Sequence, residues 1–249
     1  GGSHGTLVLS TMGGYVENSL VGTAPDASYY LFITEDVASE NPVEESYWVE
    51  AAEEADRLGV DIINTSLGYF GYDNPNYSYS YEDMNGITAF ASRGADVAFS
   101  RGIICVTSGG NTGSTANPHI AVPAESLHTL AVGAVTASGF YASFSSIGPT
   151  FDGRVKPEVA AQGVQAVVSD PTGAIGLANG TSFSGPITAG MVACLWQALP
   201  TKTNAEMIQI IKQSASIYAN PTPQLGYGIP NYNTALSTTL GINAVEKGI

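Results

Sequence analysis

Residues 84–111 read MNGITAFASRGADVAFSRGIICVTSGGN, and no other stretch says more about the fold. Residues 84–101 place apolar side chains at helical spacing, and Gly102 follows as a stop signal. Residues 103–107 are a continuous apolar run, which is typical of a parallel strand buried on both faces. A glycine-rich turn at residues 107–113 follows directly. The stretch therefore predicts a helix that leads into a central strand, with a loop at the carboxyl end of that strand where ligands commonly bind.

Strand-like and helix-like segments alternate along the rest of the chain. Strands are predicted at residues 27–33, 60–66, 129–135 and 166–169, and helices at residues 46–58, 181–199 and 204–214. This alternation favours a parallel sheet with right-handed crossovers and helices on both faces, a three-layer α/β fold. Because no change of composition suggests a linker, we predict a single domain over residues 1–249. Residues 69–83, rich in Tyr and Asn, are predicted to form a solvated loop.

The composition argues against several classes of protein. Of the 249 residues, 44% are hydrophobic and 12% are charged, which argues against disorder. Lys and Arg total 8 against 22 Asp and Glu, and the net charge of −14 disfavours nucleic acid and anionic membranes as partners. No apolar run approaches the roughly 18 residues of a membrane span, so membrane insertion is not expected. Cys105 and Cys194 lie in apolar runs and are interpreted as buried small hydrophobic residues.

Three glycine-containing turns carry the residue types that acyl transfer requires. They are SHGTLV at residues 3–8, TSGGNTG at residues 107–113 and NGTSFSGP at residues 179–186. Each has an ordinary structural interpretation when taken alone: a surface histidine, an Asn-Gly turn and a helix N-cap. Together they offer Ser182 as a hydroxyl nucleophile, His4 as a base and Asn111 as an amide donor to a developing oxyanion.

The order of these residues along the chain separates the possible folds. All three histidines precede Ser182, whereas in α/β-hydrolases the base follows the nucleophile. A chymotrypsin-like enzyme places its histidine first, but its fold is all-β, which the helical patterns contradict. The arrangement that remains is histidine before serine on an α/β scaffold. A nucleotide-binding protein is disfavoured because neither G-x-G-x-x-G nor G-x-x-x-x-G-K-[ST] occurs in the chain.

At these residues the chain resembles the subtilisin-like serine proteases, the subtilases of peptidase family S8. Six motifs stand in the order of that family. Those not quoted above are VGTAP at residues 21–25, DIINTSLG at residues 61–68 and GRVKPEVAA at residues 153–161. The resemblance implies a subtilisin-like α/β fold and a serine endopeptidase. It also implies roles for His4 as general base, Ser182 as nucleophile and Asn111 as oxyanion donor.

The resemblance also implies where a peptide or protein substrate binds. It assigns substrate binding to Ser66, Leu67 and Gly68 on one side and to Ser108, Gly109 and Gly110 on the other. An extended peptide is expected to add to an exposed strand there. The family commonly has Ala at the position of Gly109, so a wider pocket wall is expected, with a preference for sizeable apolar side chains.

The catalytic Asp of the family has no counterpart in this chain. In the family it precedes the histidine, and here the histidine is residue 4. No downstream carboxylate lies in the family's Asp motif. The resemblance therefore implies an N-terminally incomplete domain, with an upstream segment of the same protein as the partner that supplies the Asp. The alternative is a catalytically inactive, subtilase-like module that binds peptides.

Cofactors and location follow from the resemblance alone. No cofactor is expected to be required. Structural calcium is common among relatives, but the spacing of Asp73, Glu82 and Asp83 matches no calcium motif, which favours a solvated loop face. The first residues show no signal-peptide pattern. Secretion or export to the periplasm is what the family implies.

Overall fold

The computed structural model describes residues 2–241 of the chain. Its helices are α1 (His4–Gly13), α2 (Val43–Leu58), α3 (Phe90–Ser100), α4 (Thr181–Ala198), α5 (Asn204–Gln213) and α6 (Tyr232–Leu240). Its strands are β1 (Tyr15–Val16), β2 (Leu20–Val21), β3 (Ile62–Thr65), β4 (Ile104–Ser108), β5 (Leu130–Val135), β6 (Val159–Gln162), β7 (Ala166–Ser169) and β8 (Ile175–Ala178). A short 3-10 turn spans Tyr81–Asp83.

The central sheet has four parallel strands in the order β3-β4-β5-β6. Every residue of β4 and β5 is buried, which agrees with their continuous apolar runs. Helices α1, α4, α5 and α6 share one hydrophobic core with the sheet, and α2 and α3 share another. The predicted α/β fold with helices around a parallel sheet is confirmed. Gly1 and residues 242–249, which the predicted domain includes, lie outside the described residues.

The strand predicted at residues 166–169 belongs to a separate hairpin. β7 pairs with β8 in an antiparallel ladder, and a second small pair joins β1 to β2. The hairpin is tied to α1 because the backbone N–H of Ser169 donates to the hydroxyl of Ser10 at 2.9 Å. The side chain of Val168 is buried in the same core as α1. The hairpin is therefore fixed to the helix that begins at His4.

Residues 27–33, predicted as a strand, have no regular secondary structure. Tyr29 packs against the main core, but the side chains of residues 30–33 are exposed, with Leu31 71% and Ile33 96% accessible. A strand needs a hydrogen-bonded neighbour. Within residues 2–241 no strand pairs with this segment or with the outer edge of β3. The prediction is wrong here because β propensity cannot supply a pairing partner.

Residues 69–83 form a loop that is exposed over residues 73–77, as predicted, but other residues of it are anchored to the helices. The carboxylate of Glu45 in α2 is buried and accepts hydrogen bonds from the hydroxyls of Tyr72 and Tyr79, each at 2.6 Å. It also accepts from the backbone N–H of Ala91 in the first turn of α3 at 2.8 Å. One buried carboxylate therefore joins two helices and this segment, with Tyr72 and Tyr79 as its anchors, whereas Tyr77 is exposed.

Two smaller predictions also need correction. Helix α3 begins at Phe90 rather than at residue 84, because the side chain of Asn85 accepts from the backbone N–H groups of Ile87 and Thr88, each at 3.0 Å, and forms a turn there. Cys105 is buried as expected, but Cys194 is exposed. Across residues 2–241, no helix is both long enough and apolar enough to cross a membrane.

The Glu45→Ala substitution is expected to lower the free energy of unfolding by about 3 kcal/mol, because it leaves three donors without an acceptor in the interior. Urea denaturation of the purified protein measures this loss. Glu53→Ala, an exposed site on the same helix, is the matched control and should change stability by less than about 0.5 kcal/mol. Equal effects of the two substitutions would contradict the anchoring role.

Candidate active site

Three distant segments of the chain meet at the N-terminal end of α4. His4 is the first residue of α1, Asn111 follows the end of β4, and Ser182 is the second residue of α4. The imidazole of His4 lies near the ring of Phe183, the residue after Ser182, with centroids 6.3 Å apart. The side chain of Asn111 contacts Thr181, the residue before Ser182. The structure therefore brings the three predicted residues to one end of one helix.

Hydrogen bonds from Thr181 orient the amide of Asn111. Its Oδ1 accepts from the backbone N–H of Thr181 at 2.9 Å and from the Thr181 hydroxyl at 3.1 Å. Because both partners donate, the oxygen must point toward Thr181, and Nδ2 points elsewhere. Within residues 2–241 Nδ2 has no hydrogen-bond partner, so it is free to donate to a ligand. The Thr181 hydroxyl in turn accepts from the backbone N–H of Gly110 at 3.1 Å.

The ends of β3 and β4 are hydrogen-bonded to the first turn of α4. The hydroxyl of Ser108 donates to the carbonyl of Thr181 at 2.7 Å, and the hydroxyl of Ser66 donates to the carbonyl of Ser182 at 3.0 Å. Nδ2 of Asn64 donates to the hydroxyl of Ser66 at 3.2 Å. Two of the predicted substrate-binding residues therefore also position the backbone of Ser182. These hydrogen bonds could not be predicted from the sequence, because residue spacing does not indicate which hydroxyl donates to which carbonyl.

Glycines are required at two turns of the site. Gly110 has φ of +108°, and a Cβ there would lie 2.6 Å from the hydroxyl of Ser146. Gly180, directly before α4, has φ of +148°. Side-chain-bearing residues rarely adopt either conformation. The chain can therefore bring Asn111 and Ser182 together only with glycines beside them.

The pocket wall at Gly109 is filled rather than widened. A Cβ at this position would lie 3.1 Å from both Cδ1 of Ile120 and the carbonyl oxygen of Val132. The expected widening does not follow, because Ile120 takes up that space. On the opposite side of the predicted pocket, Gly68 precedes a backbone pairing in which Tyr69 and Val122 exchange hydrogen bonds at 2.8 and 3.2 Å.

The electrostatics of the site favour a neutral imidazole. Partial burial of the ring lowers the pKa of His4 below its usual value of 6.5. Within the described residues no carboxylate opposes this shift. A neutral imidazole can accept a proton, and the positive end of the α4 dipole can stabilise a negative charge. The arrangement therefore offers a hydroxyl, a base and oxyanion donors, the set that acyl transfer uses.

The group of carboxylates that could hold a cation differs from the one considered from the sequence. Carboxylate oxygens of Glu35, Glu40 and Glu44 lie within 4.8 Å of one another, on the segment before α2 and at its start. Burial, followed by repulsion from Glu44, raises the pKa of Glu35 and of Glu40. Asp73 joins this region through a hydrogen bond from the backbone N–H of Glu40 at 3.1 Å. Oxygen ligands of this kind suit calcium.

Comparison with known proteins establishes the family. Residues 1–233 match the profile of the Subtilase family, Peptidase_S8. The chain belongs to this family. It is 34% identical over 238 residues to subtilisin NAT of Bacillus subtilis subsp. natto, covering 94% of this chain and 56% of that relative. It is 32% identical over 238 residues to subtilisin of Bacillus pumilus, covering 94% of this chain and 78% of that relative. The subtilase chain thus spans little more than half the length of the first relative.

Solved structures place this subtilase in the subtilisin-like fold. The self-cleaved protease domain of PatA superimposes with a TM-score of 0.78 at 25% identity, covering 96% of this chain and 84% of that chain. The MycP3 protease from the type VII (ESX-3) secretion system gives a TM-score of 0.77 at 18% identity, covering 94% of this chain and 72% of that chain. At this identity the comparison supports the fold alone. The chain therefore belongs to the Subtilase family and has the subtilisin-like fold.

The imidazole of His4 in this chain is expected to titrate with a midpoint below 6.5, because partial burial disfavours the charged form. NMR titration of the ring C–H resonances, assigned with a His4→Gln variant, measures this midpoint. Since the folded pKa is the lower one, His4 contributes stability at pH values above 6.5 that is lost as the pH falls. A midpoint above 6.5 would mean that a carboxylate lies beside the ring.

Proposed function

We propose that the protein is a serine endopeptidase in which Ser182 is the nucleophile, His4 the general base and Asn111 the oxyanion donor. The observation that carries this proposal is the orientation of the Asn111 amide. Because Thr181 holds Oδ1 with two hydrogen bonds, the Nδ2–H group is left free beside the first turn of α4. A surface asparagine in an ordinary turn would not need this arrangement. Membership of the subtilase family supports the same reaction.

In the proposed reaction, His4 removes the proton of the Ser182 hydroxyl as its oxygen attacks the peptide carbonyl carbon. The carbonyl oxygen becomes an oxyanion, which Nδ2–H of Asn111 and the positive end of the α4 dipole stabilise. The imidazolium then gives its proton to the leaving amine, and an acyl-enzyme forms on Ser182. A water molecule then attacks the carbonyl carbon of the acyl-enzyme, with His4 again as the base. The ester bond to Ser182 breaks, the imidazolium returns the proton to the serine oxygen, and the carboxylic acid product is released.

The acyl half of the substrate is proposed to lie between two short segments. These are Ser66, Leu67 and Gly68 after β3, and Ser108, Gly109 and Gly110 at and after the end of β4. The hydrogen bonds from Ser66 and Ser108 to the first turn of α4 support this placement, because they hold both segments against Ser182. An extended peptide in this position pairs with backbone groups. The substrate class is a peptide or an unfolded protein segment.

The third member of the triad is proposed to be an Asp from a segment that precedes His4. The outer edge of β3 has no strand partner within residues 2–241, and Oδ1 of Asn64 on that strand is buried without a donor. The exposed apolar residues 30–33 offer further surface for a strand. Such an Asp would hold the imidazole in its productive orientation and stabilise the imidazolium. The substrate and the location of the enzyme, secreted or periplasmic, are likewise proposals based on the family.

A second candidate function is a peptide-binding module without activity. The observation in its favour is that, in the part of the chain that the structure describes, no carboxylate raises the pKa of His4. Loss of the Asp alone costs about 3 × 10⁴ in kcat in the subtilisin series, so a protein without it would bind peptides and hardly cleave them.

The Ser182→Ala substitution is expected to abolish peptide hydrolysis by the full-length protein and its labelling by a fluorophosphonate probe. Asn111→Ala is expected to lower kcat by about 10²–10³ with little change in KM, because the donor acts on the transition state. Asn233→Ala, an exposed site on α6, is the control and should retain full turnover. Unchanged hydrolysis by the Ser182→Ala variant would reject the proposal.

The full-length protein is expected to contain an Asp at the end of an apolar strand upstream of His4. Its replacement by Asn is expected to lower kcat by about 10⁴, as for the equivalent change in serine proteases. Steady-state kinetics of the two forms measure this loss. If the full-length protein has no such Asp, and binds a peptide substrate without hydrolysing it, the peptide-binding module is the correct function.

A further inference from the structure

A surface cavity of about 240 Å³ lies between the β7–β8 hairpin and α1. It is lined by Leu7, Val168, Ala174, Ile175, Leu177 and Ala178. The buried Val168 pairs with Gly176, so both face the cavity, and Gly176 has no side chain to fill it. The side chains of Ile175 and Leu177 lie on the other face of the hairpin. Apolar surface inside such a cavity is stabilised when the side chain of a partner covers it. The cavity has room for one large apolar side chain.

The cavity adjoins two of the segments that carry the proposed chemistry. Leu7 lies three residues after His4 in α1, and residues three apart in a helix are neighbours on its surface. β8 ends at Ala178, and the chain reaches Ser182 within one short turn. The hairpin and α1 are held together by the hydrogen bond between Ser169 and Ser10. A peptide bound across Ser182 can therefore reach this cavity.

The direction of the proposed reaction decides which half of a substrate reaches the cavity. In the proposed mechanism the imidazole of His4 gives its proton to the leaving amine, so the leaving half must pass the start of α1. The acyl half is placed at the ends of β3 and β4, elements that do not line the cavity. The cavity therefore lies on the leaving side of the scissile bond.

The backbone of β8 is open to a peptide. Within residues 2–241, β8 pairs with β7 alone, so its other edge has free backbone groups. No atom lies within 4 Å of the position that a Cβ of Gly176 would take. At one end of the cavity, the carboxylate of Asp170 accepts from the hydroxyl and the backbone N–H of Thr172 at 2.6 and 2.8 Å. This negative charge disfavours acidic residues in the bound peptide.

We propose that this cavity is a specificity subsite that takes a large apolar side chain, such as Leu or Phe, from the leaving half of the substrate. The inference rests on the proposed endopeptidase function and adds a substrate class to it. That class is peptides with a large apolar residue several positions beyond the scissile bond, in a segment free of acidic residues.

Internally quenched peptides test the subsite in the full-length enzyme. The peptides share one acyl half and carry Phe or Gly at each of the first six positions of the leaving half in turn. At one position beyond the first, kcat/KM for the Phe peptide should exceed that for the Gly peptide by about tenfold, since a side chain is buried there. A ratio near one at every position would overturn the proposal.

Two substitutions on the hairpin test whether the preference for Phe over Gly depends on the cavity. Gly176→Asp should reduce the Phe-to-Gly ratio at that position to about one, because Gly176 pairs with the buried Val168 and a side chain added there enters the cavity. Val167→Asp is the matched control, because Val167 precedes Val168 in β7, points to the other face of the hairpin, is 42% exposed and does not line the cavity. The ratio should stay near tenfold in this control. An equal loss in both variants would assign the preference to the integrity of the hairpin and overturn the subsite.

A peptide p-nitroanilide separates failure of the subsite from failure of the endopeptidase function. Its leaving group carries no residue beyond the scissile bond, so its hydrolysis reports on Ser182 chemistry without the cavity. If the anilide is hydrolysed and the Phe-to-Gly ratio of kcat/KM is near one at every position of the quenched peptides, the subsite alone is rejected. Absence of anilide hydrolysis by the full-length protein would reject the endopeptidase function and the subsite with it.

Discussion

The two hydrogen bonds from Thr181 to Oδ1 of Asn111 are the constraint on which the site depends. They join the end of a buried strand to the start of the long helix α4, and they determine which end of the amide is free. The turns on both sides need glycine, at Gly110 and Gly180, for the two segments to approach. The serines at the ends of β3 and β4 brace the same helical turn through its carbonyls. Ser182 is thus positioned by a hydrogen bond to its own carbonyl and by hydrogen bonds to the backbone of Thr181 before it.

Acidic residues inside the protein account for part of its unusual composition. Glu44, Glu45 and Glu125 are almost completely buried, at 1%, 2% and 0% exposure. Each accepts hydrogen bonds from hydroxyl or backbone N–H groups, and burial raises the pKa of Glu125 to about 7. Buried carboxylates are tolerated when their lone pairs are satisfied in this way. The net charge therefore overstates how acidic the surface is.

Elements with strong local patterns could be predicted, and elements that depend on distant partners could not. The buried strands β4 and β5 and the helix α4 follow directly from apolar runs and spacing. Residues 27–33 have the same strand propensity, but within residues 2–241 they have no pairing partner and form no strand. Residues 69–83 form the loop that their composition predicts, but the buried Glu45 anchors Tyr72 and Tyr79 of this loop, which the composition does not indicate. Propensity is local, whereas pairing and burial depend on the whole chain.

The sequence was sufficient to establish the α/β class, the family and the identities of His4, Asn111 and Ser182 as candidates, because motif order and residue chemistry are properties of the chain. Only the tertiary structure decided that Asn111 presents Nδ2 rather than Oδ1, that Ile120 fills the space beside Gly109, and that the hairpin leaves a cavity beside α1. These features depend on contacts between residues far apart in sequence. No spacing rule encodes such contacts, since they arise when separate segments pack against one another.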